Sequence, residues 1–368
     1  MNIAISTNSL WNFLKFRKNL VFSLIKQGHK VFIFTDKIDK KSKNFKNLKF
    51  ILIPIKRKPY YFFSDILVIY NYFKFFYVYK IDFFLGFSHK INIYGGLVCK
   101  ILNLKNILNI TGLGTAFIEK KIFKNIILIL YKLIKSTKSY YLFHNHHDKK
   151  IFIESSIVEN KNSAIIPGSG INTNIKIPHI KLKKKKITFT FIGRLIYQKG
   201  IYEFLKAAEL ILNLNYHQNK INFKIIGEAD DQNISNINKN LLNNFKRKKH
   251  FFFMGFLDEK KLFKEIQKSD CIVLPSYREG LPRVLLESFL HSKPAIATNV
   301  PGCNSLVKNN FNGLLCKVKN INSLYECFNK FIRMSIKQRK ILGRNGRFLV
   351  LKKFSEQIVI KKYIHLIK

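Results

Sequence analysis

Short apolar runs of β character recur along the chain, each followed by a turn residue and then a stretch whose apolar positions fall three or four apart. In the first half these runs are Met1–Ser6, Lys30–Thr35, Phe50–Ile55, Ile81–Leu85, Asn106–Ile110, Tyr140–Phe143 and Ala164–Pro167. In the second half they are Ile187–Ile192, Asn222–Ile226, His250–Gly255, Cys271–Pro275 and the strand-and-turn Ala295–Gly302. Between them the pattern predicts helices. Phe13–Gln27 is amphipathic and ends at Gly28, Tyr60–Tyr79 is largely apolar with Ser64 placed to cap it, and Lys120–Lys135 carries lysines around an apolar body. Ile201–Leu212, the run from Pro282 through Phe289 and the tail Phe354–Lys368 read the same way. Alternation of this kind implies parallel sheets with helical crossovers, hence α/β.

The period is lost from Ile175 to Lys186, IKIPHIKLKKKK, which reads as a linker. It divides the chain into 1–174, a linker 175–186, a second domain 187–350 and a terminal helix 351–368.

Between Pro275 and Gly313 the order is strand, glycine loop, helix, with Pro282 suited to the first helical turn. Backbone N–H groups and the positive end of a helix dipole then converge, favouring a phosphate. Glu279 and Glu287 flank that point, and two carboxylates suit a polyhydroxylated ligand, one for a sugar ring and one for a ribose. The plain alternative is a buried helix with two surface acids. GRLIYQKG places Arg194 and Lys199 between a strand end and a helix start, well disposed for a diphosphate.

These residues resemble the family 4 glycosyltransferases, retaining enzymes of the GT-B fold, with two Rossmann-like domains facing across a cleft and a last helix crossing back to the first. The signature is Glu-x7-Glu within PSxxEGxPxxLLEAxxxGxPxIAT, then VPG and NGLL. The chain matches at nearly every position, with Ser288 where Ala is usual and Arg283 after the proline, as in many lipopolysaccharide and O-antigen transferases. SHKxNxYG and the TGLGT loop are similar to those of transferases extending undecaprenyl-diphosphate-linked sugars, N-acetylgalactosaminyltransferases in particular. The resemblance implies a donor site of Gly193, Arg194, Lys199, Gly227, Gly255, Glu279, Gly280, Leu281 and Glu287. It implies acceptor contacts at Thr111, Gly112, Gly114 and Arg17. Many family members carry a catalytic-site His in the loop that here reads TGLGT, so that role shifts to His89 or is absent. Catalysis is assigned to Glu279, His89, Arg194 and Lys199. His89 stands at a strand end, where a histidine serves as acid, base or phosphate donor, or is simply bonded to backbone. The glycine-rich turn usual after the first strand is here TNSLW, without glycine.

Lys and Arg total 66 against 21 acids, a net charge of +45 that implies an anionic partner: nucleic acid, lipid headgroups or diphosphates. The same lysine-rich, Ile- and Asn-rich bias also fits an AT-rich genome. RNA-binding aromatic–basic signatures, zinc spacing and a basic DNA-reading helix are all missing, which argues against nucleic acid. HNHHD (His144–Asp148) offers metal ligands only superficially, because successive strand residues point to opposite faces. No D-x-D triplet occurs, so no metal and no cofactor beyond the nucleotide-sugar co-substrate is expected. Five cysteines without a CxxC pair suit a reducing compartment, and MNIAISTNSLWNF does not read as a signal peptide. Asp65 and Lys74 interrupt the most membrane-like segment, favouring a buried or surface-bound helix over a span. The expectation is a transferase that moves a sugar from a nucleotide diphosphate, UDP above all, to a polyprenyl-diphosphate-linked saccharide. It would sit in the cytoplasm, peripherally, on an anionic membrane surface. A GT-B enzyme acting on a soluble acceptor, or a non-catalytic nucleic-acid-binding protein, are the alternatives.

Overall fold

Strands that are apolar at most positions bury both faces, and the sheets are built largely from such runs. The computed structural model describes residues 1–43, 45, 48–55, 62–113, 121–175, 186–213, 220–230 and 235–368. Two units result: Met1–Ser169 with Gln357–Lys368, and Gly170–Glu356. The expected linker and Gly114 fall almost or entirely outside the described residues.

The first unit holds seven parallel strands: β1 (Asn2–Thr7), β2 (Lys30–Thr35), β3 (Lys49–Leu52), β4 (Phe83–Phe87), β5 (Lys105–Ile110), β6 (Ser139–Phe143) and β7 (Ser163–Ile165). Their order is β3-β2-β1-β4-β5-β6-β7. Alternate residues feed opposite layers, as a period of two requires. Ala4, Phe84, Leu108 and Tyr141 join one core, and Ile3, Ile5, Leu85, Ile107 and Leu142 join the other. The second core is completed by Val359, Tyr363 and Ile367, one stripe of the terminal helix Glu356–Ile367, which therefore belongs to the first unit.

The second unit holds β8 (Ile187–Ile192), β9 (Ile221–Ile226), β10 (Phe251–Phe253), β11 (Cys271–Leu274), β12 (Ala295–Thr298) and β13 (Gly313–Cys316), in the order β10-β9-β8-β11-β12-β13. Every strand pair in both sheets is parallel. Strand order reverses beside β1 and β4 in one sheet and beside β8 and β11 in the other. In open α/β sheets the carboxyl ends at such a reversal form the ligand crevice.

Three expectations are corrected in detail. The helix expected over Phe13–Gln27 is two, Leu10–Phe16 and Lys18–Lys26, parted at Arg17, whose φ of −126° leaves the helical region. Ser64 lies within the helix Phe62–Val78 rather than capping it. Pro282 is the N-cap of the helix Arg283–Leu290 rather than its first residue, with ψ at 114°.

Two helices of the first unit keep an apolar stripe in solvent. Ile66, Tyr70, Phe73 and Tyr77 line one, and Ile122, Ile126, Ile129 and Leu133 line the helix Lys121–Leu133, both at spacings of four, three and four. Lys74, Lys124 and Lys132 lie among them, and both helices pack on the helix His89–Ile101.

Candidate functional site

Gly193, Arg194 and Lys199 follow β8, and the Glu279 loop follows β11, so the reversal in the second sheet brings them together. Lys199 Nζ lies 2.5 Å from Glu279 Oε1, with both side chains mostly shielded from solvent. The approach depends on Gly200. Its φ is +73°, and a Cβ there would stand 2.0 Å from the Pro275 carbonyl oxygen, so only glycine admits this contact between the turn and the loop. Gly302 does the same from the VPG turn: at φ +85° a Cβ would lie 2.5 Å from the Glu279 carbonyl and 2.6 Å from that of Gly280.

The Gly193 N–H donates to the Ile226 carbonyl at 3.0 Å and the Gly227 N–H to the Gly255 carbonyl at 2.9 Å, so three of the expected donor-site glycines lie at adjoining strand ends. Leu281 is half-buried against the core beneath the loop. Pro282 supplies no side-chain cap bond to the helix behind it, which carries no acid in its first turn. That helix start keeps its positive character.

The other candidates sit differently. Arg194 Nη1 pairs with Asp230 Oδ2 at 2.7 Å, an exposed ion pair of small worth. Glu287 is 3% exposed and is held by Arg283 Nε at 3.0 Å, so the two carboxylates of the motif are partnered separately, one by a lysine and one by an arginine.

In the first unit His89 opens a helix after β4. Its Nε2 lies 2.9 Å from the Gly112 carbonyl, which can only accept, so Nε2 carries the proton. Nδ1 then accepts from the Tyr131 hydroxyl at 3.0 Å, which itself accepts from Asn92 Nδ2 at 3.1 Å. Burial lowers the His89 pKa, keeping the ring neutral. Both ring nitrogens are engaged within the chain. His89 thereby holds the Thr111–Gly112 turn, and a bond to backbone is one of the two readings its place at a strand end left open. Arg17 is buried, its guanidinium 3.8 Å from the Phe87 ring centroid. In HNHHD, His144 is buried, while Asn145 accepts from the Asp148 N–H at 2.8 Å and caps the helix His146–Glu154. Among the described residues no group of three His, Cys, Asp or Glu side chains forms a metal cluster.

Residues 172–348 match the family described as glycosyl transferases group 1. The second unit is a glycosyl transferases group 1 domain, and the chain is a glycosyltransferase. It is 28% identical over 292 residues to the UDP-Gal:alpha-D-GlcNAc-diphosphoundecaprenol alpha-1,3-galactosyltransferase of Escherichia coli, covering 75% of this chain and 72% of that one. To the N,N'-diacetylbacillosaminyl-diphospho-undecaprenol alpha-1,3-N-acetylgalactosaminyltransferase of Campylobacter jejuni it is 26% identical over 304 residues, 78% of this chain and 77% of the relative. Among solved structures, sucrose-phosphate synthase of Thermosynechococcus elongatus superposes with a TM-score of 0.80 at 17% identity, covering 100% of this chain and 98% of that one, which shows the GT-B fold.

Asp230, Glu203 and Tyr277 of the glycosyltransferase went unnoticed in its sequence. Tyr277 Oη donates to Glu203 Oε1 at 2.7 Å across 74 positions, and Asp230 meets Arg194 across 36. The one available signal was the tyrosine between Pro275 and Glu279, a large side chain inside a turn otherwise rich in small and polar residues.

Proposed function

We propose that this glycosyltransferase moves a hexose or N-acetylhexosamine from UDP to a polyprenyl-diphosphate-linked saccharide, with retention of configuration and without a metal ion. The reading rests on the Lys199–Glu279 contact at the carboxyl ends of β8 and β11. A lysine and a carboxylate in direct contact can separate around a bound donor, the lysine turning to a phosphate oxygen and the carboxylate to sugar hydroxyls. Lys199 and Arg194 then stabilise the charge on the leaving diphosphate, beside the N-terminus of the helix Arg283–Leu290. Cations and backbone N–H groups thus do what two metal-binding carboxylates would otherwise do. Glu279 contacts the transferred sugar, and Glu287, fixed by Arg283, receives the ribose hydroxyls. Thr111 and Gly112 contact the acceptor.

Two similar enzymes are named for diphosphoundecaprenol-linked acceptors, which supports a lipid-linked acceptor here. Among the described residues no helix is long and apolar enough to cross a membrane. A lipid-linked acceptor therefore calls for docking. The two solvent-facing apolar stripes and their lysines suit an anionic bilayer surface, with the enzyme peripheral on the cytoplasmic face.

The test is turnover with a panel of UDP-, GDP- and dTDP-sugars for wild type and Lys199→Ala. UDP-sugars are expected to be used, and Lys199→Ala to lower kcat/KM about a hundredfold, the loss typical of one charge-stabilising group. Near-normal kcat/KM in Lys199→Ala with every donor would overturn the phosphate assignment.

A further inference from the structure

Two ties connect the same two segments of the second unit. One is Lys199 to Glu279. The other joins Glu203, four residues after Lys199, to Tyr277, two before Glu279: Tyr277 Oη donates to Glu203 Oε1 at 2.7 Å, and the Tyr277 backbone N–H donates to the Gln198 carbonyl at 2.9 Å. Burial, and then the bond to Glu203, raise the Tyr277 pKa, so the phenol remains a donor at any working pH. Lys319 Nζ stands 4.9 Å from the centre of the same ring. Next along the loop, the Ser276 carbonyl accepts from Thr298 Oγ1. Residues 276 and 277 are thus fixed from three directions, while Glu279 is tied by its lysine.

Glu203 is costly where it stands. It is 6% exposed, and its second carboxylate oxygen has no partner among the described residues. A buried carboxylate with one hydrogen bond is less stable than an apolar side chain of similar volume, so its presence points to a purpose other than stability.

We propose that Tyr277 and Glu203 are positioning residues for the donor, holding the base of the Glu279 loop against the Lys199 turn while the Lys199–Glu279 contact opens to admit the diphosphate and sugar. This rests on the donor-site reading above. Without the clamp, Glu279 and Lys199 lose their fixed separation, and the loss falls on donor binding, not on the acceptor.

Kinetics and UDP binding in purified full-length variants, with Tm alongside, test this. Tyr277→Phe is expected to raise the donor KM and the UDP Kd about tenfold, the size of one hydrogen bond to a charged group, with acceptor KM unchanged and kcat within about twofold. Glu203→Gln, whose amide oxygen still accepts from the phenol, should stay within about threefold of wild type. The double variant Tyr277→Phe/Glu203→Leu removes the carboxylate stranded by the first change, so its Tm should recover while its donor KM does not. A wild-type donor KM in Tyr277→Phe, or a donor KM that recovers together with Tm in the double variant, overturns the clamp. If Lys199→Ala and Glu279→Ala also bind donor normally, the donor-site reading itself fails, and the clamp with it.

Discussion

His144, the residue after β6, is buried, and burial first, then the positive charge of Arg17, lower its pKa to about 3. His291 moves the same way, to about 4, chiefly through burial. A histidine whose folded pKa lies below its unfolded value of about 6.5 is protonated more readily in the unfolded chain. Its contribution to stability is therefore complete above pH ~6.5 and is lost progressively as pH falls toward the folded value. Stability should decline between pH 7 and pH 5, by up to about 1.4 kcal/mol per pH unit for each such group. His144→Asn, which cannot titrate, should flatten that decline in a Tm series; parallel curves for variant and wild type would contradict the assignment. At this scale the sequence was informative where chemistry follows motif. Lys199 and Glu279 stood out because cations and acids recur at fixed offsets from glycines, and the fold puts them 2.5 Å apart. Glu203 and Tyr277 did not, because their pairing spans 74 positions and each has an ordinary role as a helix or loop residue. His89 stood open between two readings, because a histidine at a strand end looks the same in sequence whether its nitrogens face a ligand or, as here, a tyrosine and a carbonyl.

Among the elements, strands were the most legible, since buried parallel strands are apolar or β-branched along most of their length: the expected Ile187–Ile192, ITFTFI, is β8 unaltered. Helices with mixed faces were harder. Glu259–Lys268, Ile321–Arg333 and Ile336–Lys353 passed unnoticed, although each carries a cap at its start: Asp258 accepts from the Lys261 N–H, Asn320 from that of Ser323, and Ser335 with Gln338 forms a capping box. The lysine-flanked helix Lys121–Leu133 was visible, and its exposed Ile122, Ile126, Ile129 and Leu133 give it an unburied apolar face. Its basic residues should each add about 1 kcal/mol near an anionic surface, screened beyond a Debye length of about 8 Å at physiological salt, while the apolar stripe adds a salt-resistant part. Co-sedimentation should favour anionic over neutral vesicles and weaken as salt rises. Changing Lys120, Lys121, Lys124, Lys132 and Lys135 to Gln should remove most of that salt response. No preference for anionic vesicles, or an unchanged salt response, would leave these lysines without a docking role.

For the molecule as a whole, a net charge of +45 could not by itself distinguish diphosphates and lipid headgroups from nucleic acid. What favours a diphosphate is the second unit, where strand order reverses beside β8 and β11 and delivers a lysine, a carboxylate and a glycine-rich loop to one edge of the sheet. The first unit has the same reversal beside β1 and β4, with His89, Gly112 and Arg17 around it, and it carries the apolar stripes. Donor chemistry on one unit and lipid-linked acceptor chemistry on the other is the central claim. It is tested most directly by incubating the purified enzyme with radiolabelled UDP-galactose or UDP-N-acetylgalactosamine and a matched pair of acceptors, the undecaprenyl-diphosphate-linked saccharide and the same saccharide free in solution. Label should pass into the lipid extract, in an α-linkage that keeps the donor's configuration, with little or none on the free saccharide. Equal labelling of the free saccharide, inverted configuration, or no transfer to the lipid-linked acceptor would contradict it.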